Sequence, residues 1–127
     1  MSLRSTLLAL AATITLSHAA AASSEGPAKD EIDHLLNFVG ASSCTFVRNG
    51  TEYPGEKARE HLADKYKFAG SRIATAEEFI KYLATQSSMS GEPYHVKCGT
   101  TDGLAGVWLN DELSRYRQAP KLVQAVR

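Results

Sequence analysis

Residues 44–53 read Cys44-Thr-Phe-Val-Arg-Asn-Gly-Thr-Glu-Tyr53, CTFVRNGTEY. Asn49-Gly50 set between β-formers is the strongest short hairpin signal, because both residues tolerate the positive φ of a type I′ turn. A two-residue loop pairs Arg48 with Thr51 and Phe46 with Tyr53. Alternation then puts Cys44, Phe46 and Arg48 on one face. Asn49-Gly50-Thr51 also satisfies the N-x-T acceptor pattern, but turn chemistry accounts for Asn49. Arg48 is the residue the turn leaves unexplained, since a hairpin needs no arginine on its buried side.

A second strand lies at Tyr94–Cys98, YHVKC, which alternates strictly. Tyr94, Val96 and Cys98 point inward, His95 and Lys97 outward. The chain has two cysteines, Cys44 and Cys98, and no C-x-x-C pair. In an exported protein such a pair predicts a disulfide. Closing a loop of about 55 residues stabilises a fold by about 4 kcal/mol in the chain-entropy model. With antiparallel pairing, Cys98 falls opposite Cys44, Val96 opposite Phe46 and Tyr94 opposite Arg48, all six on one face. A parallel pairing also satisfies the bridge, and the sequence leaves it open.

Export is read from the N-terminus. Arg4 precedes an apolar run, Leu7 to Leu16, interrupted only by Thr13 and Thr15, and Ala19 to Ala22 are small. These are the parts of a secretory signal peptide, residues 1–22, cut between 19 and 22. The run is too short to span a bilayer, which takes about 20 residues. The mature protein is therefore expected in the periplasm, off the membrane. Residues 23–29 read as a linker, 30–117 as a single globular domain and 118–127 as a flexible tail. The whole chain carries 14 basic and 14 acidic residues. A balance that close to neutral argues against nucleic acid as a partner.

The rest is helical. Ile32, Leu35, Leu36 and Val39 follow i, i+3, i+4, i+7 spacing, and Gly40 ends that helix. Pro54 opens a second helix, with Ala58, Leu62, Tyr66 and Ala69 as its apolar line and Gly70 at its close. Thr75 and Glu78 form a capping box for a third, whose buried face is Ala76, Phe79, Ile80, Leu83 and Ala84. Ser87–Pro93 is a loop and Gly99–Gly103 a turn. A last helix carries Ala105, Trp108, Leu109, Leu113 and Tyr116. No internal repeat is visible. The expected fold is α+β: a small antiparallel sheet, made of the hairpin plus a C-terminal strand, covered by about four helices and held by one disulfide.

S-S-C-T-F-V-R-N-G-T-E-Y, A-R-E-H-L-A-D-K, T-A-E-E-F-I and S-S-M-S-G-E-P-Y occur in that order. Together they resemble the YfeK-like family of small bacterial periplasmic proteins, over roughly Ile32 to Tyr116. The resemblance implies export and a bacterial source. It implies no activity, and no catalytic residue is carried over from it.

Site chemistry must come from the residues themselves. His61 and Lys65 are four apart and share a helix face. If that face packs on the hairpin, Arg48, His61 and Lys65 converge with Tyr94 on a site for an anionic group. Ser90 is the fifth ligand-binding candidate. The competing expectation is that His61 and Lys65 are boundary residues with their heads in water. Two other roles involve the serine loop. A hydrolase would use a serine of 87–90 as nucleophile with His61 or Lys65 as base, although no G-x-S-x-G elbow is present. A lysozyme inhibitor would insert the Ser90–Tyr94 loop, S-G-E-P-Y, into the enzyme's cleft, although this segment also reads as a plain turn. His34, His61 and His95 are too scattered for a metal site, and His34 and His95 are expected in solvent. No cofactor is expected. The partner is expected to be a periplasmic protein or an anionic small molecule.

Overall fold

The computed structural model describes residues 25–125. The leader at 1–22 and its cut lie outside these residues. In chain order the elements are α1 (Glu25–Ala41), β1 (Thr45–Arg48), β2 (Thr51–Pro54), α2 (Gly55–Ala69), α3 (Ala76–Phe79), which continues as a π-helical stretch Ile80–Ala84, then β3 (His95–Cys98), β4 (Thr101–Leu104) and α4 (Ala105–Ala125). The fold is α+β, with one four-stranded antiparallel sheet ordered β2-β1-β3-β4.

The hairpin forms as its turn dictates. Asn49 sits at φ 50° and Gly50 at φ 77°, both in the left-handed region. Phe46 pairs with Tyr53 and Arg48 with Thr51. Across the central pair, Phe46 faces Val96 in an antiparallel ladder. That register sets Cys44 beside Cys98, and the two are disulfide-bonded across 54 positions of sequence. The antiparallel alternative is therefore the one realised.

One face of the sheet is solvated; it carries a cross-strand ion pair of Lys97 with Glu52 and sets His95 Nδ1 3.6 Å from an Asp102 carboxylate oxygen. The other face turns Phe46 and Val96 into the core. All four expected stripe residues of α1, Ile32, Leu35, Leu36 and Val39, are buried there, as are Ala76, Phe79, Ile80, Leu83 and Ala84. Leu109 and Leu113 of α4 complete the core. Thr75 Oγ1 accepts from the Glu78 backbone N–H at 3.1 Å, and the Glu78 carboxylate accepts from the Ala74 N–H at 2.7 Å. This is the expected capping box, shifted by one residue on its return arm.

Four boundaries differ from the sequence reading. Gly99–Gly103 reads as a turn, yet Thr101–Leu104 forms β4, paired with β3 from His95↔Leu104 to Cys98↔Thr101. It is an edge strand with little buried surface, so it shows no apolar alternation to read. The first helix begins earlier, at Glu25, because Pro27 is tolerated in a first turn where its missing N–H costs nothing. The third helix widens into a π-helical stretch at Ile80–Ala84. The last helix runs on through Gln118 to Ala125.

The structure also contains a repeat that the sequence conceals. A shift of 50 residues carries Thr45–Arg48 onto His95–Cys98, Thr51–Pro54 onto Thr101–Leu104, and the start of α2 at Gly55 onto the start of α4 at Ala105. Two hairpin–helix units thus pair through β1 and β3 about an approximate two-fold axis. Both helix starts need glycine for close approach. A Cβ on Gly55 would lie 2.5 Å from the Val39 carbonyl oxygen, and one on Gly106 would lie 2.9 Å from Thr85 Oγ1.

Candidate functional site

The approximate axis exchanges the two ends of the β1–β3 ladder. The disulfide closes one end; at the other, the same register sets Arg48 across from Tyr94. Helix α2 packs on that end and brings His61 and Lys65 to it. Arg48 lies on the last residue of β1, held there by the Asn49-Gly50 turn. Tyr53 of β2 projects from the same face, next to Phe46.

These five side chains form one connected cluster. A guanidinium nitrogen of Arg48 lies 2.6 Å from His61 Nδ1, and its other terminal nitrogen donates to the Tyr53 hydroxyl at 3.2 Å. His61 Nε2 is 3.3 Å from the Tyr94 hydroxyl oxygen. Lys65 Nζ donates to that oxygen at 3.2 Å and to the Gln86 carbonyl at 3.3 Å. Arg48 also stacks on the Tyr53 ring and Lys65 on the Tyr94 ring, at 4.9 and 5.2 Å from the centroids, within cation–π range.

Proton positions follow from the donors. A guanidinium only donates, so His61 Nδ1 accepts and its neutral ring carries the proton on Nε2. Nε2–H then donates to Tyr94. The Tyr94 oxygen thus accepts from His61 and Lys65, and the Tyr53 oxygen accepts from Arg48. Neither phenolic hydrogen has an acceptor within this cluster. Burial, then the charges of Arg48 and Lys65, push the His61 pKa down, against a weaker upward pull from Asp64. Burial and Arg48 likewise lower Lys65. Burial raises Tyr94, with Arg48 opposing. Among the described residues, no carboxylate oxygen comes within 4.0 Å of a nitrogen of Arg48 or Lys65.

The cluster lines a surface depression of about 360 Å³, together with Asn49, Thr51, Ser87, Ser88 and Met89. Adjoining it, a second half-open cleft of about 250 Å³ runs between α2 and the sheet, from the exposed Lys57, Glu60 and Asp64 toward Val39, Leu62 and Leu109. Arg48, Tyr53, His61 and Tyr94 line both spaces.

Of the five sequence candidates, Arg48, His61, Lys65 and Tyr94 meet. Ser90 does not join them. Its hydroxyl donates to Asn49 Oδ1 at 2.5 Å and accepts from the Glu92 N–H. Asn49 in turn donates to Ser87 Oγ, which also accepts from the Met89 and Ser90 amides. These serines fasten the loop to the hairpin turn. Of the serines the hydrolase reading would use, Ser90 is bound to Asn49, while Ser88 lines the depression with His61 and Lys65. In the Ser90–Tyr94 segment of the inhibitor reading, Ser90 to Pro93 are exposed, whereas Tyr94 is only 7 % exposed and turned into the cluster. Tyr53 joins the site as well: its pairing opposite Phe46 puts it on the Arg48 face, a signal present in the hairpin register.

His34 corrects the sequence reading. It was expected in solvent, but its Nε2 lies 3.0 Å from a carboxylate oxygen of Glu112 and its ring stacks on Tyr116 at 4.0 Å. Glu112 is itself buried and pairs with Arg115. The packing of α1 on α4 creates this contact across 78 positions, beyond the reach of local spacing. Among the described residues, no group of three or more His, Cys, Asp or Glu side chains is placed to hold a metal. No described helix is long and apolar enough to cross a membrane.

Comparison with known proteins places this site in a family without an assigned role. The chain belongs to a family of unknown function (DUF5329), whose model matches residues 27–117. Over 64 residues, 50% of the chain, it is 42% identical to the uncharacterized protein YfeK of Salmonella typhimurium, covering 53% of that protein. This agrees with the YfeK-like resemblance of the motifs. Over 91 residues, 72% of the chain, it is 29% identical to a putative glutamate–cysteine ligase 2 of Methylibium petroleiphilum, covering 24% of that protein. The chain thus spans about half the length of the first relative and about a quarter of the second. No solved structure matches it.

Proposed function

We propose that this chain is a non-enzymatic binding module whose Arg48, His61, Lys65 and Tyr94 cluster holds an anionic group, a carboxylate or a phosphate. One observation carries the reading: two cations share a half-buried depression with no carboxylate within ion-pair distance among the described residues. Like charges brought together out of water raise each other's free energy. An anion between them would offset that cost. Arg48 supplies a fork, Lys65 a point charge, and the two tyrosines hydroxyl donors.

Calorimetry and thermal unfolding with acetate and with inorganic phosphate test the reading. At a hundredfold excess over Kd, a bound anion stabilises the fold by about 2.7 kcal/mol. Arg48→Ala and Lys65→Ala should fold and lose that response. Absence of any response to either anion in the wild-type protein would defeat the proposal.

We further propose that the protein is exported to the periplasm and meets its partner there, either an anionic small molecule or an anionic group on a protein. The disulfide supports this, since such bonds persist in oxidising compartments. Intact mass of material from the cell envelope should show an N-terminus generated between residues 19 and 22. A full-length chain found in the cytosol would overturn it.

A further inference from the structure

The anion reading describes only the outer half of the site. Beside the cluster, a half-open cleft of about 250 Å³ has an inner wall of Val39, Phe46, Ala58, Leu62, Ala84 and Leu109 and also borders the exposed Lys57, Glu60 and Asp64. Val39, Ala84 and Leu109 are each only 1 % exposed, so the cavity reaches the centre of the core. Protein interiors are close-packed and leave few voids larger than a water molecule. A cleft whose inner wall of apolar side chains is left unfilled is a feature to be explained.

Its shape follows from a small residue on α2. Where α4 crosses the sheet, Trp108 fills the gap, with its ring 5.4 Å from Phe46 and 4.4 Å from Phe38. Where α2 crosses, the cavity is lined by Ala58. The space exceeds the roughly 150 Å³ of an apolar cavity that takes up benzene.

The two spaces are continuous through shared walls. Arg48, Tyr53, His61 and Tyr94 line the cleft as well as the depression beside it. Arg48 and His61 therefore stand between the open depression and the apolar inner wall of the cleft. A simple anion would use only the outer half. We infer that the site takes an amphipathic monocarboxylate, its carboxylate against Arg48 and Lys65 and a compact apolar group, a phenyl ring or a short alkyl chain, in the cleft. This inference rests on the anion reading and specifies its ligand class.

The test compares 3-phenylpropionate, acetate and 3-phenylpropanol by calorimetry on the full-length protein. The expected result is binding of 3-phenylpropionate roughly tenfold or more tighter than acetate, with 3-phenylpropanol weaker than the acid. Ala58→Leu, which narrows the cleft, should abolish the advantage of 3-phenylpropionate over acetate. In the wild-type complex, nuclear Overhauser contacts should join the phenyl protons to the Leu62 and Leu109 methyls. Equal binding of acetate and 3-phenylpropionate would overturn the inference and leave the anion reading standing. Equal binding of the acid and the alcohol would remove the carboxylate from the inference and count against the anion reading as well. No binding of any of the three would overturn both.

Discussion

Arg48 and His61 meet head to side, a guanidinium nitrogen 2.6 Å from imidazole Nδ1. A permanent cation donating to that nitrogen holds the ring neutral. The His61 pKa is accordingly lowered, chiefly by burial, then by Arg48 and Lys65. The unfolded state therefore takes up a proton first as the pH falls. The His61 contribution to stability is complete above the ordinary histidine value of about 6.5 and declines as the pH drops through it. A His61 titration followed by NMR should give a midpoint below that of an unstructured histidine. Arg48→Ala should move the midpoint upward, since it removes a repelling charge.

Anion binding reverses the sign. A negative group beside His61 favours imidazolium, so its pKa should rise on binding. Affinity should then increase as the pH falls through the interval between the free and bound values. Calorimetry across pH 5 to 8 in buffers of different ionisation enthalpy would detect the proton uptake. Proton release on binding would contradict the arrangement.

Glu112 should matter to stability, although it stands apart from the site. It is 7 % exposed and bound to His34 at 3.0 Å. Glu112→Ala should cost about 1–3 kcal/mol in urea unfolding by leaving its partner unsatisfied and its space vacant. Arg115, the other partner, is largely exposed, and Arg115→Ala should cost under about 1 kcal/mol. Neither variant should change the response to acetate.

Gly55→Ala should destabilise by about 1–3 kcal/mol, because the added methyl meets the Val39 and Ser42 carbonyl oxygens at 2.5 and 2.8 Å. Gly103 offers a control. A Cβ there meets nothing within 4 Å and its φ is not positive, so Gly103→Ala should be neutral or add about 0.4–1 kcal/mol. Chemical unfolding of the two variants separates close approach from a general demand for glycine.

Replacing both cysteines by alanine should cost about 4 kcal/mol or somewhat less, from the freed 54-residue separation. The β1–β3 register is also held by Phe46 and Val96 in the core, so folded material should keep its acetate response. Loss of that response in a variant with an intact far-UV spectrum would show that the bridge positions the site as well as stabilising the chain.

Much of this was legible where the chemistry is local or covalent. Asn49-Gly50 fixed the hairpin, and the two cysteines supplied the one long-range restraint that aligned Phe46 with Val96. That register and the four-residue spacing of His61 and Lys65 made the convergence with Arg48 and Tyr94 possible, conditional on α2 packing over the hairpin, which the sequence left open. What escaped depended on surfaces without periodicity or on distant packing. The edge strand at Thr101–Leu104 is mostly exposed and contains Asp102 and Gly103, so nothing in it reads as a strand. His34 finds Glu112 only because α1 crosses α4. Ser90 was assigned to the site for its hydroxyl, which the neighbouring Asn49 side chain engages instead.

The doubled architecture gives the two ends of the central ladder different fastenings. Sulfur rivets one end for good; at the other, Arg48 and Tyr94 are joined through the His61 side chain, where the proposed anion would bind reversibly. An occupant there would act as a removable clasp on the same two strands. Amide exchange at Val47 and His95 should slow when it is present, while the amides beside the sulfur bridge hold their rate.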